Sequence, residues 1–224
     1  MTGNEFSNAT LSFTGLYLLS RLYGWGVGLR SALYDTGVVR RKKLPCRVIS
    51  IGNLSVGGTG KTPMTLYVAK MLQDLGLRTV VVSRGYKGDL EKKGGIVSDG
   101  KILFSDAETA GDEPLMMARG LTGIPGIVGR NRFDAGMRAV RDFNADVIVL
   151  DDGFQHRAIG RAMDVVLLDD RRGSLLPAGP MRERLRALRR ADAVILVGGQ
   201  AAGDGPKAPR LRVEKPMYRA SFEP

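Results

Sequence analysis

Between Phe6 and Leu33 the chain is mostly apolar, with Arg21 dividing the run. Leu11, Phe13, Leu16, Leu19, Leu22, Trp25, Val27 and Leu33 recur close to helical spacing, which predicts an amphipathic helix over 9–34. Interrupted by Arg21, the run falls short of the ~20 apolar residues that a membrane-spanning helix needs. No Lys or Arg precedes it, so it also lacks the pattern of a secretory signal, and the chain is expected to stay in the cytoplasm. Tyr17, Tyr23 and Trp25 are amphipathic aromatics, and Arg40, Arg41, Lys42 and Lys43 follow as a basic cluster. Such a helix suits either of two places: an anionic bilayer surface, or an apolar contact with the rest of the protein.

From Cys46 onward the pattern changes to short aliphatic runs alternating with helical periods. Strands are predicted at Arg47–Ile51, Thr79–Ser83, near Gly126–Val128, and at Val147–Leu150, Val165–Leu168 and Ala193–Val197. Helices are predicted at Pro63–Leu75, Glu113–Arg119 and Phe133–Phe143, and Asp99-Gly100 marks a hairpin turn between two short strands within Ile96–Phe104. This alternation implies an α/β fold with a mainly parallel sheet covered by helices on both faces, preceded by the N-terminal amphipathic helix. Met181–Arg190 holds Arg182, Arg184, Arg186, Arg189 and Arg190 and reads first as a solvated helix face. Gly198–Pro209 reads as a linker and Leu211–Phe222 as extended chain. The expected division is a membrane-facing helix and basic cluster over 1–44, a core over 45–200, and 201–224 as a linker into further structure.

Composition narrows the function. A single Cys46 rules out a disulfide scaffold, the long aliphatic runs rule out disorder, and 43% apolar residues are enough to bury a sizeable core. Lys and Arg number 34 against 23 acids, a net charge of +11 that calls for an anionic partner. Nucleic acid is set aside because the chain shows no helix-turn-helix, zinc-finger or RNP-like pattern. A lipid surface and a nucleotide phosphate remain.

The sharpest local signal is Ser55-Val-Gly-Gly-Thr-Gly-Lys-Thr62, lying after a predicted strand and before a predicted helix, as a phosphate-binding P-loop requires. Gly57, Gly58 and Gly60 let the backbone fold tightly, so that N–H groups around Thr59 point at phosphate oxygens. Lys61 then reaches the terminal phosphates, and Thr62 is placed to ligate Mg²⁺. Ser55 departs from the usual glycine at the first position. The loop also needs a carboxylate at a neighbouring strand end, and spacing does not choose between Asp151-Asp152 and Asp169-Asp170. The absence of an Asn-Lys-x-Asp signature favours ATP over GTP. Asp112, in Gly111-Asp-Glu-Pro114, reads on sequence as a helix start, and His156 is the only histidine.

Five motifs occur in order: Ile51-Gly-Asn-Leu-Ser-Val-Gly-Gly-Thr-Gly-Lys-Thr-Pro63, Ser83-Arg-Gly-Tyr86, Gly111-Asp-Glu-Pro114, Leu150-Asp-Asp-Gly-Phe-Gln-His156 and Leu176-Pro-Ala-Gly-Pro-Met-Arg-Glu183. Together they resemble the tetraacyldisaccharide 4′-kinases of lipid A biosynthesis, a family that tolerates a hydroxyl residue at the Ser55 position. The resemblance implies a P-loop NTPase-like kinase core that uses ATP and Mg²⁺. Its substrate would be an acylated disaccharide 1-phosphate, met at the cytoplasmic face of the bacterial inner membrane by a peripheral or monotopic protein. It also implies Lys61 and Thr62 on phosphate and metal, Asp151 and Asp152 as the metal carboxylates, and Asp112 as the base that accepts the sugar hydroxyl proton. Arg84, Arg132 and Arg182 would supply cations to the transferred phosphate or grip the substrate's own phosphate, and His156 would organise the substrate site. Family members continue for about a hundred residues into a smaller second domain, which this chain is expected to lack. The alternatives are a nucleotide-binding membrane protein without turnover, and a P-loop GTPase or metallochaperone-like NTPase. The sequence indicates no protein partner.

Overall fold

The computed structural model describes residues 3–169, 173–198 and 215–221, with side chains from residue 14 onward. The chain opens with a long helix, α1 (Gly3–Asp35), and then alternates. The strands are β1 (Arg47–Asn53), β2 (Thr79–Ser83), β3 (Gly95–Ser98), β4 (Gly126–Val128), β5 (Val147–Leu150), β6 (Met163–Leu168), β7 (Ala193–Val197) and β8 (Met217–Ala220). The further helices are α2 (Lys61–Asp74), α3 (Leu90–Lys93), α4 (Ala107–Ala110), α5 (Asp112–Gly120) and α6 (Arg132–Phe143), with a 3₁₀ helix at Leu185–Arg190.

The eight strands form one sheet in the order β3-β4-β2-β5-β1-β6-β7-β8, and every pairing is parallel except β3 with β4. Strands buried on both faces account for the near-continuous aliphatic runs in the sequence. In β5, Val147 and Val149 point into the core beneath α2 and α5, whereas Ile148 and Leu150 point into the core beneath α6. In β6, Val165 and Leu167 join the first of these cores, while Val166 and Leu168 pack with Phe154, Leu175, Met181 and Leu188. β1 lies centrally between β5 and β6 and runs on to Asn53, opposite Leu167. The strand order reverses beside it, which opens the crevice at the carboxyl ends where such sheets take ligands.

The strands and helices fall close to their predicted positions, with three differences. The arm returning from the Asp99-Gly100 turn is too short to count as a strand: it makes one antiparallel bridge, Ser98 to Leu103, with the Phe104 N–H donating to the Val97 carbonyl, while β3 pairs with β4 on its other edge. The basic run after Met181 is not simply a solvated face. Ala187 and Leu188 are buried, and Arg182 and Arg190 turn inward onto carboxylates. The short helices α3 and α4 carry no sequence signal of comparable length. Of the expected tail, 199–214 and 222–224 lie outside the described residues.

α1 shows an inverted burial. Its packed side is a row of mostly small residues, with Ser20 buried and Gly24, Val27, Gly28 and Ser31 half-buried. Leu16, Leu18, Leu19, Leu22, Trp25 and Leu29 are exposed, Trp25 at 75%. Polar ties do much of the holding: the Ser20 hydroxyl donates to the Leu175 carbonyl at 2.7 Å, and the Tyr23 hydroxyl to that of Arg182 at 3.0 Å. At the other end, buried Arg157 donates to the Ser31 carbonyl, pairs with Asp35 and lies over the Tyr34 ring. Among the described residues no helix is long and apolar enough to cross a membrane.

Arg157→Ala is expected to release the last turn of α1 while leaving the sheet folded. Losing charge-assisted bonds of about 1.5–3 kcal/mol should speed amide hydrogen exchange over Ser31–Asp35 by about tenfold or more. Exchange in β1 and β5 should move far less.

Candidate active site

The loop from β1 to α2 lies at the carboxyl end of the central strand. Gly57 and Gly60 adopt φ of +101° and +74°, values that favour glycine, and Gly60 caps α2 in the left-handed region. Asn53, the last residue of β1, donates to the buried Thr59 hydroxyl at 2.7 Å, and the Gln155 side chain donates to the Asn53 carbonyl at 2.8 Å. Ser55 is buried and bridges to Met181, while the Val56 N–H donates to the Pro180 carbonyl. The unusual first position of the loop is thus where the returning 180–183 segment is attached.

Beyond β5 the chain delivers Asp151 and Asp152 to the same crevice, and the two carboxylates differ sharply. Asp151 is buried, its backbone N–H still bonds the Val82 carbonyl, and it accepts a 3.0 Å bond from the Thr65 hydroxyl of α2. Burial, and then the charge of Asp152, push its pKa up to about 6. Asp152 has φ +48°, a left-handed conformation that Asp tolerates better than most residues. Its carboxylate lies 2.8 Å from the Arg182 guanidinium and 3.9 Å from the Lys61 ammonium. The rival strand end does not join them: Asp169 is buried and absent from the cavity lining, and Asp170 lies outside the described residues.

A cavity of about 830 Å³ gathers Gly57 to Thr62, Asp151, Asp152 and Arg182 on one side, with Arg84, Asp112 and Glu113 on the other. Close backbone packing creates that second wall. A Cβ on Gly88 would lie 2.5 Å from the Ala110 carbonyl carbon, and one on Gly111 would lie 2.8 Å from the Tyr86 carbonyl oxygen, so the Arg84–Gly88 turn sits against the start of α5. The helix is capped by Gly111 rather than by an acidic side chain, which leaves the exposed Asp112 carboxylate at the first residue of α5, beside the cavity. Arg84 pairs with Glu91 at 2.7 Å and lies near the Tyr86 ring.

Ser55, Arg132 and His156 are not among the lining residues. Arg132 is buried at the start of α6; its pKa is lowered by burial and by Arg84 and raised by Asp152 and Asp151, and its Nε has no partner. His156 is half-buried, and burial followed by Arg132, Arg161 and Arg30 lowers its pKa to about 4, which keeps the ring neutral at pH 7. Sequence reasoning passed over Thr65, one helical turn beyond Lys61, and Asn53, whose partner Thr59 is six residues away. Both are ordinary polar residues until the fold aims them.

The donor chemistry is hard oxygen: Asp151, Asp152 and Thr62. Among the described residues no three acidic, His or Cys side chains gather into a metal cage. Mg²⁺ has no need of one, because it takes one or two carboxylates together with phosphate oxygens and water. The buried Ser83 hydroxyl, which lines the cavity, has no partner among the described residues, as a polar ligand would leave it.

A glycine-rich loop between a central parallel strand and a helix, beside an acidic strand end, defines a P-loop nucleotide-binding protein of the α/β class. The family model for tetraacyldisaccharide-1-P 4′-kinase (LpxK) matches residues 13–224, and the chain belongs to that family. The tetraacyldisaccharide 4′-kinase of Syntrophus aciditrophicus is 45% identical over 93% of this chain and 60% of its own length. That of Desulfatibacillum aliphaticivorans is 40% identical over the whole chain and 61% of its own. The crystal structure of LpxK from Aquifex aeolicus in complex with ATP superposes with a TM-score of 0.81 at 39% identity, covering 92% of this chain and 64% of that one. The chain thus spans about three-fifths of the length of these relatives.

The raised pKa of Asp151 fixes a sign. Its native carboxyl holds a proton between about pH 4 and 6 that the unfolded chain has released, so its contribution to stability is lost as pH rises through that window. At neutral pH the penalty is of order 3 kcal/mol. Asp151→Asn should therefore resist urea better than the parent at pH 7.5 and equally at pH 4, and a variant no more stable at pH 7.5 would refute the buried-charge account.

Proposed function

We propose that the chain carries the kinase core that moves the γ-phosphate of ATP to the 4′-hydroxyl of a tetraacylated disaccharide 1-phosphate. The observation that carries this reading is the opposition, across one cavity, of the phosphate loop with its Asp152–Arg182–Lys61 cluster and the uncapped carboxylate of Asp112. Asp112 accepts the hydroxyl proton as the sugar oxygen bonds to the γ-phosphorus and the bond to the β–γ bridging oxygen breaks, releasing ADP. Lys61 and Arg182 neutralise charge that spreads over the transferred group, and Arg84 and Arg132 contribute further positive potential. Thr62 and Asp152 would hold Mg²⁺, supported by Asp151, and the bound ion would offset the negative charge of the phosphates. His156, held neutral, orients rather than titrates.

The same reading sets the protein on the anionic cytoplasmic face of the bacterial inner membrane. The outward apolar side of α1 supports this, together with the Arg40–Lys43 cluster and the acylated substrate that the relatives' name states.

Lys61→Ala should weaken nucleotide binding and lower phosphate transfer by about 10² or more, the cost of removing a positioned cation. Asp112→Asn should bind ATP as the parent does yet lose transfer, because the amide keeps the shape but cannot take the proton. Radiolabelled ATP supplied with Mg²⁺ and the acylated disaccharide 1-phosphate reads both. Full transfer by Asp112→Asn would overturn the assignment of the base, and ATP binding without transfer by the parent chain would favour a nucleotide-binding module.

The chain should sediment with vesicles containing phosphatidylglycerol, and salt at about 0.5 M should release much of it by screening. Removal of residues 1–35 should reduce sedimentation strongly, and undiminished binding by the shortened chain would refute the role of α1.

A further inference from the structure

A groove of about 600 Å³ runs along α1 and shares no lining residue with the nucleotide cavity. Its apolar wall is Leu22, Trp25 and Leu29, and Arg21, Arg184 and Arg186 flank it. A Cβ on Gly28 would lie 3.1 Å from Arg186 Nη2, so that guanidinium reaches across the helix where glycine leaves room. Neighbouring Arg182 and Arg190 are each paired with a carboxylate. Arg21, Arg184 and Arg186 have no acidic partner among the described residues, and the groove lining contains no carboxylate.

Three unpaired guanidinium groups beside an apolar floor suit a ligand with an anionic head and a hydrocarbon body. The head must be compact enough to meet several planar donors at once, as a phosphate is. We propose that this groove binds one anionic phospholipid of the phosphatidylglycerol type, its phosphate held by Arg21, Arg184 and Arg186 and an acyl chain lying on Leu22, Trp25 and Leu29. The site rests on the reading of α1 as membrane-facing. It refines that reading from adsorption by general charge to recognition at a defined place on the segment that also carries Arg182.

Trp25 is the only tryptophan and lines the groove, so its emission reports occupancy directly. The 224-residue chain is titrated with monomeric dihexanoyl-phosphatidylglycerol, and with dihexanoyl-phosphatidylcholine for comparison. The expected result is a saturable blue shift with the anionic lipid and an affinity about tenfold weaker for the zwitterionic one. Arg184→Gln and Arg186→Gln should each weaken binding about fivefold, the effect of one cation near an anionic head. Arg21→Gln, an exposed side chain, keeps the test readable should loss of Arg186 unseat α1. Arg119→Gln removes an exposed charge on α5, and binding should stay unchanged. Equal response to the two lipids, or full affinity in Arg184→Gln/Arg186→Gln, overturns the site. If the parent sediments with anionic vesicles but does not discriminate the short lipids, the groove alone is refuted; if it does not sediment, the membrane reading falls with it.

Discussion

Two adjacent carboxylates at the end of one buried strand cannot both stay ionised unless donors and cations meet them, and the surrounding structure answers that constraint. Thr65 of α2 donates to Asp151, while Lys61 and Arg182 approach Asp152, whose left-handed backbone separates its side chain from that of its neighbour. The answer draws on three distant parts of the sequence. α2 must start where the P-loop ends, β5 must lie beside β1, and the 180–183 segment must return to the loop through Ser55 and Val56. Phosphate loop, acidic strand end and arginine segment therefore form one connected unit.

That returning segment also carries α1. Arg182 faces both ways, its carbonyl accepting from Tyr23 and its guanidinium from the other side bonding Asp152. Movement of α1 against its seat is thereby connected, through one residue, to the carboxylate beside the P-loop lysine. The helix is seated by small residues and hydroxyl-to-carbonyl bonds rather than by its large apolar side chains, which leaves those side chains for another surface.

Net charge overstates how much positive potential is on offer. Arg157 is buried and spent on α1, Arg161 lies 3.2 Å from Asp164, and Arg190 is bidentate to Glu183 and packs over Phe154. These arginines are internal struts whose guanidinium planes satisfy several acceptors at once. The positive charge that faces ligands lies along the groove beside α1, in the exposed basic clusters and in the cavity, where Lys61, Arg84 and Arg182 also meet carboxylates.

The sequence by itself determined the α/β alternation, the placing of nearly every strand and the P-loop, because burial on both sheet faces writes continuous aliphatic runs and because a phosphate loop is made from consecutive residues. Five ordered motifs were equally legible, and they carried the family. Only the tertiary structure brought Asp151 and Asp152 together with Thr65, Lys61 and Arg182, since the strand ends at Asp151 and Asp169 read alike in the local pattern. It also decided that Asp112 leaves the cap to Gly111, that β3 joins the sheet through β4 and makes only a short bridge to the arm after Asp99-Gly100, and that Arg182 and Arg190 turn inward while Arg184 and Arg186 stay out. Each of these depends on contacts between residues far apart in the chain, where the local pattern of polar and apolar positions is the same for either outcome.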